Sequence, residues 1–238
     1  MKLGPYFCIV KERLERIMDV KGLLVMDVDG TLVQEEGIDL LAHQAGVREK
    51  VARLTSKAMN GHLDFSSSLH ERVALLKGLE TSVFADLQKQ IKVNPGAEQL
   101  ITELHQRGYK VGLVSGGFHE LIDPLASALE IDLVCANRLE SKQGYLTGRV
   151  YGPIVTPEGK REKLLTWANQ YHLRLNQTVA MGDGANDLPM IEAAGIGIAF
   201  MAKPIVAEKA PYHIEKRDLS QVLNIIDQHG KDKKCTSF

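Results

Sequence analysis

Short apolar runs alternating with amphipathic stretches organise most of this chain. Leu23-Leu24-Val25-Met26 is too short for a helix and ends in turn residues, so it predicts a buried strand. Val111-Gly112-Leu113-Val114, Leu133-Val134-Cys135 and Val179-Ala180-Met181 predict further strands, and residues 196–200 the last one. Between them, residues 97–106 carry Leu100, Ile101 and Leu104 on one side, with Gly108 as the residue after the helix end. Residues 118–129 and 160–171 are also expected to be helical. Residues 138–140 and 145–150, around Lys142-Gln143-Gly144, predict a hairpin. Strand and helix in alternation, with wholly apolar strands, predict an α/β fold with a doubly wound, mostly parallel sheet.

Residues 38–91 break that rhythm. Leu40, Leu41, Val47, Val51, Leu54, Ala58 and Met59 recur at three and four, as do Leu69, Val73, Leu75, Leu76 and Leu79. Asn94-Pro95-Gly96 then supplies a turn. A helical insertion directly after the first strand is expected to form a cap over the strand ends. The expected division is therefore an appendage at 1–21, a core of 22–37 and 92–238, and a cap of 38–91. Leu14, Ile17 and Met18 predict a short helix in the appendage.

Composition excludes several classes. Lys+Arg 29 against Asp+Glu 30 leaves a net charge of -1, so no basic field argues for nucleic acid and no polybasic run for a membrane surface. No apolar run approaches the roughly 20 residues of a membrane span. Gly4-Pro5 and the charges at Lys11, Glu12 and Arg13 argue against a signal peptide. Cys8, Cys135 and Cys235 form neither a disulfide framework nor a zinc spacing, so a reducing compartment, the cytoplasm, is expected.

The candidate chemistry lies at the strand ends. Asp27-Val28-Asp29-Gly30-Thr31 places two carboxylates two apart where open α/β sheets bind ligands. Such a pair suits a nucleophile and a proton carrier around a bound Mg²⁺. A solvated acidic turn gives the same string. A full calcium loop does not, because Thr31 and Ile38 fall where it needs an oxygen ligand and a Glu. A second acidic loop, Gly182-Asp183-Gly184-Ala185-Asn186-Asp187, again follows an apolar strand. Asp27, the Asp29 carbonyl and Asp183 could together hold the ion; a solvated turn is the other reading of Asp183. Ser115-Gly116-Gly117 is expected to end a strand and open a helix, as an anion site or as a plain turn. Lys160, expected to start a helix, opposes its dipole, which points to an anion nearby or to nothing more than a surface lysine.

With these segments in this order, the chain resembles the haloacid dehalogenase superfamily of aspartyl-phosphate phosphatases, and within it the phosphoserine phosphatase family. The strings that carry the resemblance are DVDGTLVQEEGIDLLAHQAG, AMNGHLDFSSSLHERVALLKGL, VSGGF and VAMGDGANDLPMI. It implies a Rossmann-like core and Mg²⁺-dependent hydrolysis of O-phospho-L-serine, the last step of serine biosynthesis. Asp27 would be the nucleophile, and Asp29 would protonate the seryl oxygen and later deprotonate water. Ser115, the Gly116 N–H and Lys160 would hold the phosphoryl oxygens, with Asn186 on the phosphate side. Asp183 would hold the metal, with Asp187 behind it. Glu36 would meet the substrate ammonium, Arg72 its carboxylate, and Met59 and Phe65 would wall out water. The family usually has Ser where this chain has Gly30, so the substrate expectation rests more on Glu36, Arg72 and the cap. A phosphatase or phosphotransferase for another small phosphorylated amino acid or alcohol is the alternative. Longer relatives carry an added N-terminal regulatory domain, and the residues before Gly22 are not expected to form one. A hinge for cap opening is expected near Glu36 and Val93.

Overall fold

The computed structural model describes residues 20–59 and 64–235, so the expected N-terminal helix lies outside the described residues. Seven strands form one sheet: β1 (Gly22–Met26), β2 (Tyr109–Phe118), β3 (Leu133–Lys142), β4 (Tyr145–Tyr151), β5 (Thr178–Gly182), β6 (Ile196–Phe200) and β7 (Tyr212–Ile214). Their spatial order is β4-β3-β2-β1-β5-β6-β7. All neighbours are parallel except β3 and β4, which form the expected hairpin.

Ten helices complete the described chain. Four lie between β1 and β2: α1 (Gly37–Gln44), α2 (Arg48–Met59), α3 (Phe65–Ala74) and α4 (Val83–Gln88). Next come α5 (Ala97–Gln106), α6 (His119–Ala128), α7 (Pro157–Gln170), α8 (Leu188–Ala193), α9 (Pro204–Ala207) and α10 (Gln221–Cys235).

Strand β1 is buried along its whole length, which is why its sequence is continuously apolar rather than alternating. Leu24 and Met26 face a core shared with Leu100 and Leu104 of α5, Ile122 of α6 and Val222 of α10. Leu23 and Val25 point the other way, toward Leu164 and Trp167 of α7. The chain moves outward from β1 to β3 on one side and from β5 to β7 on the other. This makes the C-terminal end of β1 a switch point, the place where open sheets of this kind bind ligands.

Helices α1–α4 share a core of their own, including Leu41, Val51, Leu69, Val73 and Leu87, into which Phe118, Leu121, Leu139 and Leu146 project from the sheet side. Backbone bonds add to this packing: Gly78 N–H donates to the Leu146 carbonyl at 2.8 Å and Thr81 N–H to the Gly144 carbonyl at 2.8 Å. The connections in and out of this helical segment lie side by side, with Val33 bridged to Val93.

Four expectations are corrected. Strand β2 does not end at Val114 but continues to Phe118, so Ser115-Gly116-Gly117 lies within an irregular strand and the helix begins at His119. The two segments at 133–135 and 138–140 are one strand, β3. Residues 196–200 are not the last strand, because β7 adds beside them. Helix α7 starts at Pro157, where Thr156 Oγ1 accepts the Gly159 N–H at 3.0 Å, so Lys160 is the fourth helical residue.

Candidate active site

Immediately after β1, Val28–Leu32 forms a wide turn closed by Val33 N–H to the Val28 carbonyl at 3.0 Å. The turn is possible because Gly30 takes φ +73, and the Cβ of any other residue there would lie 2.9 Å from the Asp183 carboxylate. Asp183, at the end of β5, is thus brought against the β1 turn, with Thr31 Oγ1 at 3.5 Å from its Oδ1.

Asp27 is almost fully buried. Its Oδ1 accepts both the Val28 N–H and an ion pair from Lys160 Nζ, each at 2.8 Å. Lys160 is itself 1% exposed and pairs on its other side with Asp187 Oδ1 at 2.7 Å. Asp187 Oδ2 accepts the Gly184 N–H at 3.0 Å. A lysine expected on a helix start is therefore a buried counter-charge bridging the β1 and β5 loops. Burial opposes the charge of Lys160, but Asp187 and Asp27 hold its pKa above the ordinary range. Asp29 Oδ1 accepts the N–H of Gly37, the first residue of α1, at 3.0 Å. Burial, and then the negative charge of Asp183, nevertheless push Asp29 up to about 6.

Asp27, Asp29 and Asp183 line a cleft of about 620 Å³ together with Glu36, Phe65 and Arg72 from the helical segment. Gly116 and Asn186 also line it. Phe65 opens α3 behind the cap residue Asp64, and its ring lies against Gly116: a Cβ there would sit 3.2 Å from the ring. Glu36 caps α1 without a side-chain hydrogen bond, which leaves its carboxylate to the cleft. Burial, then the charges of Asp29 and Asp183, raise it to about 7. Arg72, whose Nε donates to the Ser68 carbonyl at 3.2 Å, is lowered by burial against the opposing pull of Glu36 and Asp39. Ser115 is fully buried, and its Oγ accepts the Gly117 N–H at 2.8 Å. Met59 ends α2, and its side chain is outside what is described.

The cleft also contains residues with no motif of their own: Asp39 and Thr55 from the helical segment, and, after β6, Lys203 at the cap of α9 and Ile205 within it. Asp39, three residues after Glu36 on one helix face, is the one that spacing could have found. Lys203 and Ile205 reach the cleft only through the fold.

Three carboxylates, on Asp27, Asp183 and Asp187, bring oxygens within 4.8 Å of one another. Burial first, and the Asp187 charge next, hold Asp27 well above the ordinary carboxylate range and raise Asp183 as well. Lys160 alone does not offset this density of negative charge. The donor set, all oxygen and partly open to the cleft, fits a hard divalent cation. Both oxygens of Asp187 are already engaged by Lys160 and Gly184, whereas Asp27 and Asp183 keep free lone pairs.

The haloacid dehalogenase-like hydrolase family matches residues 24–192. The phosphoserine phosphatase of Streptococcus thermophilus is 60% identical over 213 residues, covering 90% of this chain and 99% of its own. A solved phospho-aspartyl intermediate analogue of phosphoserine phosphatase is 46% identical with a TM-score of 0.81, over 87% of this chain and 99% of that one. A substrate-bound phosphoserine phosphatase complex is 45% identical with a TM-score of 0.81, over 86% and 98%. Among the described residues no helix is long and apolar enough to cross a membrane.

Proposed function

This chain belongs to the haloacid dehalogenase-like hydrolases and, within them, to the phosphoserine phosphatase family, and from that premise we propose how its cleft hydrolyses O-phospho-L-serine to L-serine and phosphate. One observation carries the proposal. A buried carboxylate held by a lysine, a second carboxylate near neutrality and an acidic cation site share one cleft with Glu36 and Arg72, a charge pair suited to an amino-acid zwitterion.

Asp27 Oδ1 is committed to Lys160 and Val28, so Oδ2 is the attacking atom. It forms a bond to phosphorus as the bond to the seryl oxygen breaks. Asp29, raised to about 6, retains a proton often enough to pass it to that oxygen, and the incoming phosphate charge raises it further. Asp29, now ionised, takes a proton from water; the water oxygen bonds to phosphorus and the bond to Asp27 breaks, restoring both carboxyls. Lys160, the Ser115 hydroxyl and the Gly116 N–H offset phosphoryl charge. Mg²⁺, held by Asp27, Asp183 and the Asp29 carbonyl with Asp187 as support, would neutralise charge between nucleophile and phosphate.

In this proposal α1–α4 form the cap. Glu36 receives the substrate ammonium, Arg72 its carboxylate, and Phe65 with Met59 excludes water. The domain division is that of the sequence: 22–37 and 92–238 as core, 38–91 as cap. We place the reaction in the cytoplasm, as the last step of serine biosynthesis. Borohydride trapping tests the covalent step. During turnover with Mg²⁺, reduction of an aspartyl-phosphate should convert residue 27 to homoserine, detectable by mass spectrometry. Asp27→Asn should give none. Label at another carboxylate would overturn the assignment.

A further inference from the structure

Strand β2 leaves its ladder with β3 where Gly116 and Gly117 line the cleft. Val114 pairs with Cys135 and Phe118 with Asn137, so Ser115, Gly116 and Gly117 bulge out opposite the single residue Ala136. A bulge costs ladder bonds, and buried carbonyls need other partners. Asn137 of β3, 1% exposed, supplies one: its Nδ2 donates to the Gly116 carbonyl at 2.8 Å. Its Oδ1 accepts the Val155 N–H at 2.8 Å. Only one orientation of the amide satisfies both bonds.

The two bonds end beside the groups that would hold phosphate, one in the bulge and one next to the cap of α7. Fixing the Gly116 carbonyl fixes the same peptide plane's Gly117 N–H, which donates to Ser115 Oγ at 2.8 Å. That bond occupies the oxygen as acceptor and leaves the hydroxyl proton to point elsewhere. Val155 adjoins Thr156, the cap of α7, whose first turn carries Lys160. One buried amide therefore ties the bulge to the start of the lysine helix.

We propose that Asn137 is a positioning residue for phosphate recognition, setting the Ser115 hydroxyl and the bulge N–H groups through the Gly116 peptide and holding them in register with Lys160. The inference rests on the phosphatase assignment for its meaning in turnover, but it predicts phosphate binding independently of turnover.

The test is titration calorimetry of inorganic phosphate with Mg²⁺ present, alongside kinetics with phosphoserine and p-nitrophenyl phosphate. Asn137→Ala removes both bonds. Asn137→Asp is nearly isosteric and keeps the acceptor for Val155 while, when ionised, losing the donor to Gly116. Both should weaken phosphate binding about 10-fold or more, the cost typical of removing a group that orients a binding residue. Both substrates should lose kcat/KM together, leaving the preference between them within about 3-fold, because Glu36 and Arg72 are untouched. Should Asn137→Ala not fold, Asn137→Asp alone decides. Unchanged phosphate affinity in a folded variant would overturn the proposal, as would a loss that changes only the preference between substrates. Wild-type protein that binds phosphate but turns over no phosphoserine would count against the assigned function instead, and the calorimetric comparison would still judge Asn137.

Discussion

Gly117→Ala separates position from stability at this site. The residue lies in β2 with φ outside the left-handed region, so alanine introduces no backbone strain. Its Cβ, however, would lie 2.6 Å from Asp29 Oδ2 and 3.0 Å from Ser115 Oγ, with Ile122 at an ordinary 3.5 Å. Restoring about 3.4 Å requires Asp29 to withdraw by about 0.8 Å. Asp29 is restrained from the other side by the Gly37 N–H at 3.0 Å, so this movement strains its hydrogen bond to the first residue of α1. A misplacement of about 1 Å costs on the order of 100-fold in rate. Replacing Gly with Ala where the backbone permits changes stability by about 1 kcal/mol or less. The expected outcome is a folded enzyme with a melting temperature near that of the wild type and kcat for phosphoserine about 100-fold lower. The loss should be smaller for p-nitrophenyl phosphate, whose phenolate leaves without needing a full proton from Asp29. Steady-state kinetics and thermal melts on the same samples check this. Activity within about 3-fold of wild type, or a loss that follows the melting temperature, would refute the reasoning.

Other perturbations probe other parts of the site. Lys160→Met leaves Asp27 and Asp187 buried without their cation; in EDTA it should destabilise by about 3–5 kcal/mol, and millimolar Mg²⁺ should restore part of the loss in thermal melts. Asp29 and Glu36 bind their protons more tightly folded than unfolded, at about 6 and about 7. Metal-free protein should therefore lose stability as pH rises from about 4 through those values and then level off, which denaturant melts in EDTA across pH 4–8 would show. In turnover, Glu36 must be ionised to hold the ammonium. Because Asp29 must at the same time keep its proton, kcat/KM for phosphoserine should be bell-shaped with limbs at about 6 and about 7, and Glu36→Gln should leave only the alkaline fall. Arg72→Ala should raise KM for phosphoserine about 10-fold or more and leave p-nitrophenyl phosphate unchanged, as expected for loss of a charged bond to the substrate carboxylate.

The sequence was most readable where one local signal decided the structure. Residues 23–26 could only be a buried strand, and the acidic turn behind it had to lie at a sheet edge. The helical period of 38–91 identified the insertion, and the hairpin was visible from its turn. Signals failed where tertiary contacts replaced local pattern. Glycines in Ser115-Gly116-Gly117 suggested a strand end, but the strand continues: Asn137 satisfies the bulged Gly116 carbonyl, and the N–H of Ala136 on the facing strand donates to His119 Nε2 of α6 at 3.2 Å. Tyr212–Ile214 is too short to announce itself and becomes a strand only because β6 offers an open edge. Lys160 was recognisable as a residue of interest, but its depth was not, since burial depends on two carboxylates from loops far apart in the chain. Lys203 reaches the cleft from a loop whose sequence has no motif.

The central claim is that this cleft joins metal-dependent phosphoryl transfer to recognition of an amino-acid zwitterion. Phosphate release from L-phosphoserine, with Mg²⁺ and with EDTA, beside O-phosphothreonine and p-nitrophenyl phosphate, tests it most directly. Release that needs Mg²⁺ and strongly prefers phosphoserine is the predicted result. Metal-dependent release without preference would contradict the roles of Glu36 and Arg72, and no release from any of the three would contradict the account as a whole.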